Sequence, residues 1–175
     1  MGMEFDSDFL LVQKMRMGDE TALEEFVIKY YPRIRKYCQL HIDDYDYAED
    51  MTQETFVRFF RTLNQYRHYG KAVNYLYVIA GNVCTDYHRK KKEILMEELP
   101  DISNRQTDNM EMQVEVRIAL ESLPDELREV SVLYFIQEQK QKDIAKILGI
   151  SLPLVKYRIR RAREMLFAYF SEEQT

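Results

Sequence analysis

Tryptophan is absent from this chain of 175 residues, and only five glycines and four prolines are spread along it. So few turn residues, with no sustained alternation of apolar and polar side chains, exclude a fold built from many short strands. Two cysteines, Cys38 and Cys84, and three histidines, His41, His68 and His88, have no paired-ligand spacing, so neither a metal site nor a cofactor is expected. Both thiols are expected as reduced core or surface residues. No apolar run approaches the ~20 residues of a membrane span, and the N-terminus alternates acidic and apolar residues, unlike a signal peptide. A cytoplasmic chain without membrane insertion is therefore expected. Excess positive charge is lacking too. Against 30 Asp+Glu stand 25 Lys+Arg, a net charge of −5, so any contact with nucleic acid has to come from local basic patches. There is no phosphate-cradling glycine loop and no convincing nucleophile, so the chain is not expected to be an enzyme.

What is present is 46% hydrophobic content, enough for real cores in one large or two small domains, and a clear pattern near the C-terminus. From Lys140 to Phe167 the chain reads KQKDIAKILGISLPLVKYRIRRAREMLF. Ile144, Ala145 and Leu148 mark a short helix, Gly149 stands where a left-handed residue would end it, and Ser151 can cap the next. In that next helix Val155, Ile159, Ala162 and Leu166 recur at i, i+4, i+7 and i+11 and share one narrow apolar face. The spacing predicts a helix-turn-helix. The opposite face carries Tyr157, Arg160 and Arg161, flanked by Lys156, Arg158 and Arg163, and Ser151–Arg163 holds five Lys/Arg and no Asp/Glu. Single-sign charge of this kind suits a DNA major groove, whereas an ordinary solvated face mixes acids and bases at i, i+4. A solvated face opposite an apolar stripe remains the plainer alternative.

Upstream, periodicity predicts a first helix over 7–17, with Phe9, Leu10, Val12 and Met15 on its apolar side and Gly18 as its stop. Asp19 caps a second over 21–41, carrying Leu23, Phe26, Val27, Tyr30, Ile34, Tyr37 and Leu40 and kinked at Pro32. Asp43 to Glu54 brings six carboxylates and no base, which complement the dipole of a helix whose Phe56, Phe59, Phe60 and Leu63 lie on one side. Asp50, Glu54 and Arg61 share the face away from those rings, with Val57 and Arg58 at its edges; such a mixed surface suits solvent or a protein partner. Asn64–Gly70, NQYRHYG, is an aromatic loop around Arg67, able to stack on unpaired bases or to pack down as a lid. The next helix, from Lys71, buries Leu76, Ile79, Ala80 and Val83, repeats Asn82, Asp86 and Arg89 at polar positions, and ends in HRKKK. That basic end suits either the helix dipole or phosphate. Glu93–Met112 reverses the sign, with six Asp/Glu against Arg105 alone, and reads as a linker. Val116, Ala119, Leu120 and Leu123 then mark one helix, and Leu127, Val130, Leu133 and Tyr134 another, opened by Pro124 and running to about Ile136. The fold class is all-α, with two small helical domains, 1–92 and 113–175, joined by an acidic flexible linker, 93–112, and with the helix-turn-helix in the second.

Three stretches, in this order, resemble the extracytoplasmic-function (ECF) sigma factors of bacterial RNA polymerase: AEDMTQETFVRFFRTL at Ala48–Leu63, YLYVIAGNVCTDYHR at Tyr75–Arg89, and LPDELREVSVLYFIQEQKQKDIAKILGISLPLVKYRIRRAREML at Leu123–Leu166. The resemblance covers nearly the whole chain and implies a region 2-like domain over 1–92 and a region 4-like domain over 113–175. It implies that Asp50, Gln53, Glu54, Val57, Arg58 and Arg61 bind the clamp helices of the polymerase β′ subunit, and that the β flap is a further partner. The loop over 63–71 and the helix after it would recognise the minus-ten promoter element and hold its opened strand. Tyr66, Arg67, His68, Tyr69, Asn74, Asn82, Arg89, Lys90, Lys91 and Lys92 are the matching candidates. The C-terminal helix would read the minus-thirty-five element, with Ser151 at its start, Lys156, Tyr157, Arg160 and Arg161 toward base edges, and Arg158 and Arg163 toward phosphate or structure. An anti-sigma factor commonly holds the family inactive. Tyr75 stands where the family usually has tryptophan, and Leu152-Pro153-Leu154 replaces a commoner small-residue entry to the last helix. Two other readings share the helix-turn-helix: a stand-alone transcriptional regulator, which needs dimerisation or an effector pocket, and a sigma-like interaction protein that opens no promoter.

Overall fold

The computed structural model describes residues 7–68, 70–97 and 111–172; Tyr69 and residues 98–110 of the expected linker lie outside them. Among the described residues all regular structure is helical, and the chain divides into two compact units, Met1–Asn104 and Arg105–Thr175.

The first unit holds α1 (Ser7–Arg16), α2 (Glu20–His41), α3 (Tyr45–Arg61) and α4 (Ala72–Glu97). Local signals act where the sequence puts them. Gly18 adopts φ +84, and the Asp19 side chain accepts the Ala22 N–H to start α2, which continues through Pro32. Phe26 of α2 is fully buried, stacked on Phe59 of α3 at 4.8 Å and edge-on to Tyr30 at 5.0 Å. Burial of one such ring contributes roughly 2–3 kcal/mol. Helix α4 approaches α2 closely at Gly81, where a Cβ would stand 3.2 Å from the Tyr37 hydroxyl. In the same core Cys38 of α2 and Cys84 of α4, both buried and not joined in a disulfide, meet thiol to thiol. The Cys84 hydrogen bond, assisted by Thr52, holds the Cys38 thiol below its ordinary pKa despite burial.

A buried carboxylate ties α1 to its neighbours. Asp8 is 2% exposed and accepts from Lys29 Nζ at 2.6 Å, from the Tyr30 hydroxyl, and from the Ala72 N–H at 3.2 Å. Desolvation pushes its pKa up, but the Lys29 and Tyr30 hydrogen bonds, the Lys29 charge and the Ala72 N–H outweigh it and hold the group below the usual carboxylate value.

Two details of the first unit depart from expectation. Leu10, placed on the core stripe by its spacing, is exposed, while Leu11, Val12 and Met15 are buried. Helix α4 does not stop after the lysines but continues through Glu97, so the first five residues of the expected linker are helical.

The second unit holds α5 (Glu111–Glu121), α6 (Asp125–Ser131), a π-helical turn at Val132–Ile136, α7 (Gln141–Leu148) and α8 (Leu152–Glu172). Glu111 and Met112, assigned to the linker by composition, belong to α5. The orphan carbonyls at the end of α5 are satisfied by Arg128, which donates to Leu120, Glu121 and Leu123 at 3.0, 3.0 and 3.1 Å. The π-helical turn interrupts what the spacing presents as one helix ending near Ile136, and Glu138 just beyond it takes φ +52, a left-handed conformation costly for a residue with a Cβ. Gly149 ends α7 at φ +63, Ile150 follows, and the Ser151 hydroxyl accepts the Leu154 N–H at 3.4 Å. Ile144 of α7 and Val155, Ile159 and Ala162 of α8 are buried together in this unit.

Candidate nucleic-acid interface

On α3, Asp50, Glu54, Val57 and Arg61 fall at i, i+4, i+7 and i+11 and form one stripe, beside which Gln53 is also exposed. Val57 is 40% exposed, an apolar member among polar neighbours. Arg58 is held by ion pairs instead. Its Nε donates to Glu54 at 2.7 Å and its Nη1 to Asp86 of α4 at 3.3 Å, and Arg89 joins the same Asp86 at 3.2 Å. Arg58 and Glu54 therefore brace α3 against α4, while Asp50, Gln53, Val57 and Arg61 face outward. Asp86 is a residue whose bracing role the sequence did not reveal, because its partner Arg58 lies on another helix.

In the α3–α4 loop Tyr66, a minus-ten candidate able either to stack on an unpaired base or to pack down as a lid, is 8% exposed and takes the second course. Its ring stacks on Tyr75 at 5.0 Å and lies 5.5 Å from Phe59, and its hydroxyl meets His68 Nδ1 at 3.1 Å. The apolar space between α3 and α4 holds the ring more favourably than solvent does. Arg67 beside it is exposed, His68 is half-buried against Phe9, and Gly70 supplies φ +105 before α4 begins. Tyr69 lies outside the described residues. Along α4, Asn74 is half-buried and Asn82 exposed. Arg89, Lys90, Lys91 and Lys92 are all exposed, with Lys91 over the Tyr87 ring at 6.0 Å. They form a dense basic band with an aromatic at its side.

On α8 the structure sorts the expected row. Lys156, Tyr157, Arg160 and Arg161 project outward, with the Arg160 guanidinium 5.7 Å from the Tyr157 ring and Arg161 paired with Glu164 at 2.8 Å. Arg158 instead reaches Glu126 of α6 at 2.9 Å and is only 17% exposed, and Arg163 lies over Phe135 at 5.9 Å. Ser151 serves as the cap at the helix start. The exposed residues placed to meet a groove are thus Lys156, Tyr157, Arg160 and, on exchange of its Glu164 contact, Arg161, away from the buried Val155, Ile159 and Ala162. A helix-turn-helix with this outward row has the geometry that enters a major groove.

Comparison with known proteins fits both units. Sigma-70 region 2 matches residues 26–94, and sigma-70 region 4 matches residues 113–166. The ECF RNA polymerase sigma factor SigW of Bacillus subtilis is 30% identical, over 89% of this chain and 92% of the relative. The chain belongs to the ECF RNA polymerase sigma factors. A second relative of this sigma factor, SigE of Mycolicibacterium smegmatis, is 31% identical over 90% of the chain, which spans 66% of that relative's length. Solved structures share the fold: CnrH in complex with the cytosolic domain of CnrY, with a TM-score of 0.78 at 24% identity over 95% of this chain and 99% of that one, and the sigma factor RpoE in complex with the anti-sigma factor NepR from Bartonella quintana, with a TM-score of 0.71 at 21% identity over 85% and 96%. Among its described residues this sigma factor has no helix long and apolar enough to cross a membrane.

Proposed function

We propose that this sigma factor binds core RNA polymerase through the outer stripe of α3 and carries it to promoters with two elements, the minus-ten element held by the α3–α4 loop and α4, and the minus-thirty-five element read by α8. The observation that carries this reading is the pairing, in one chain, of the outward row on α8 with an exposed mixed stripe on α3 in a separate helical unit. A stand-alone regulator needs the first and leaves the second without a purpose. Asp50, Gln53, Val57 and Arg61 meet the β′ clamp helices, with Glu54 and Arg58 setting the α3–α4 geometry behind them. The second unit takes the β flap as its polymerase contact, and the acidic segment between the units follows a basic channel of the polymerase.

Work is done by binding energy alone, without covalent chemistry, cofactor or metal, and in the cytoplasm. Extruding one base from a duplex costs roughly a few kcal/mol, and stacking it on an aromatic returns about 1–3 kcal/mol. Arg67, His68 and Tyr69 make the strand contacts that the buried Tyr66 does not, with Asn74 and Asn82 along the helix, while Arg89 to Lys92 hold phosphates. An anti-sigma partner covering these surfaces keeps the protein inactive, a reading supported by the complexes in which the CnrH and RpoE neighbours were solved.

Transcription in vitro with core polymerase on a fragmented genomic template, followed by mapping of start sites, tests the proposal. Starts sharing two upstream elements at fixed spacing are expected. Tight binding of the free protein to promoter duplex without polymerase would favour a regulator instead. On the protein side, Asp50→Lys reverses a charge on the α3 stripe and is expected to weaken core-polymerase affinity by about tenfold or more, since like charges across an interface cost several kcal/mol. An unchanged affinity in a pull-down titration removes α3 from the polymerase interface.

A further inference from the structure

Helix α1 lies outside the stretch matched by sigma-70 region 2, which begins at residue 26. Three of its side chains nevertheless reach the start, the middle and the end of the α3–α4 loop. Arg16, in the last turn of α1, donates from Nε to the Leu63 carbonyl at 3.0 Å and from Nη2 to the Tyr66 carbonyl. Phe9 packs edge-on to His68 with centroids 6.0 Å apart. Asp8 accepts the N–H of Ala72, the first residue of α4.

Each contact meets a need of the loop. A helix end leaves carbonyls without intrahelical donors, and the next helix start leaves N–H groups without acceptors. Here the donors and the acceptor come from a remote helix. The guanidinium has a rigid planar fork, so satisfying two carbonyls at once fixes their separation as well as their charge environment. Asp8 acts on α4 as a capping side chain does, but from another element. Between these anchors Arg67 projects from a segment whose neighbours on both sides, Tyr66 and His68, are held by α1.

We infer that α1 is a clamp that presets the promoter-strand loop, with Arg16 as its main positioning residue and Phe9 and Asp8 as its supports. The inference rests on the assignment of that loop to the opened minus-ten strand. A loop already in its bound shape loses less conformational freedom when it captures a strand, so the clamp favours promoter opening without touching DNA or polymerase.

The test compares Arg16→Ala and Arg16→Lys with the unaltered full chain in complex with core polymerase. Four quantities are read: thermal unfolding, core affinity, transcription from a duplex promoter, and transcription from the same promoter opened beforehand by mismatched bases. Arg16→Ala is expected to lower duplex-promoter transcription about tenfold, the size of one or two lost hydrogen bonds, with core affinity unchanged. On the opened template the loss shrinks to about twofold, because unpairing no longer has to be driven by the preset loop. Arg16→Lys, which keeps the charge but not the fork, falls between the two. Equal losses on both templates, or a loss that follows core affinity, reduce Arg16 to a structural residue and overturn the clamp; so does unchanged transcription. If Arg16→Ala unfolds at the assay temperature, Phe9→Ala and Arg16→Lys carry the same comparison. Arg67→Ala separates the clamp from the assignment beneath it. If Arg67→Ala leaves duplex transcription intact, the loop assignment itself fails; if it lowers transcription while the α1 variants do not, only the clamp fails.

Discussion

Asp8→Ala is expected to lower the melting temperature of the N-terminal unit by roughly 20 °C. The carboxylate is almost fully enclosed, and its removal takes an acceptor from the Tyr30 hydroxyl and the Ala72 N–H in the core and a charged partner from the half-exposed Lys29. Removing one member of a buried, hydrogen-bonded ionic group costs about 3–5 kcal/mol, mostly through the partners left behind. A domain of roughly 100 residues loses about 4–8 °C per kcal/mol. Asp8→Asn keeps an acceptor of similar shape without the charge and is expected to cost less. The same group makes stability depend on pH. Its folded pKa lies below the ordinary value, so the stabilisation is fully present above about pH 4 and is lost as pH falls through the folded pKa. The unaltered protein should therefore shed stability on acidification below about pH 4 faster than Asp8→Asn does. Thermal melts of both proteins followed by circular dichroism across that window decide it. Parallel curves would mean that Asp8 is not the titrating group.

That same residue shows where reading from sequence stops. Asp8 sits in the first turn of α1, where an acid is already accounted for by the helix dipole, and nothing local announces Lys29, Tyr30 and Ala72 as its partners. Contacts of this kind depend on how helices pack, which periodicity does not encode. Leu10 and Leu11 illustrate the same limit, since both are apolar and only the position of α2 and its neighbours decides which is buried. Tyr66 was ambiguous for a related reason. An aromatic loop residue goes outward or inward according to the room below it, and here Phe59 and Tyr75 provide that room. The end of α4 misled in another way: a reversal of charge after Lys92 looks like a boundary, but Glu, Ile, Leu and Met favour helix and no Gly or Pro intervenes before Pro100. By contrast the helix-turn-helix was legible almost residue by residue, because its signals are local. Gly149 needs a left-handed backbone, Ser151 needs a nearby N–H, and the α8 stripe needs only its own 3.6-residue repeat. The sorting of its basic residues was less legible, because Glu126, which draws Arg158 away, belongs to α6.

That sorting sets the other large effect, on promoter choice. Arg160→Ala is expected to lower transcription from promoters carrying the upstream element by about 5- to 100-fold, the 1–3 kcal/mol typical of a side chain that reads a base edge, with core-polymerase affinity unchanged. Arg160 is singled out because its outward guanidinium lies beside the exposed Tyr157 ring, which narrows its orientations before DNA arrives. Tyr157→Phe keeps that ring and should retain most of the activity, while Tyr157→Ala should weaken it by a smaller factor than Arg160→Ala. Arg161 is already engaged by Glu164 and has to exchange that contact for DNA, so its removal should matter less. Arg158→Ala should behave in another way, lowering the melting temperature of the second unit through loss of the Glu126 pair while leaving relative promoter preference intact. Lys156→Ala, if Lys156 meets phosphate, should weaken all promoters alike and reduce the salt dependence of binding by about one ion. The measurement is start-site abundance from a mixed set of promoters, some with the upstream element and some with it scrambled, at two salt concentrations. Loss confined to the promoters with the intact element identifies Arg160 as a base reader. A uniform loss assigns it to the phosphate backbone, and no loss at all means that the outward row of α8 is not the reading face.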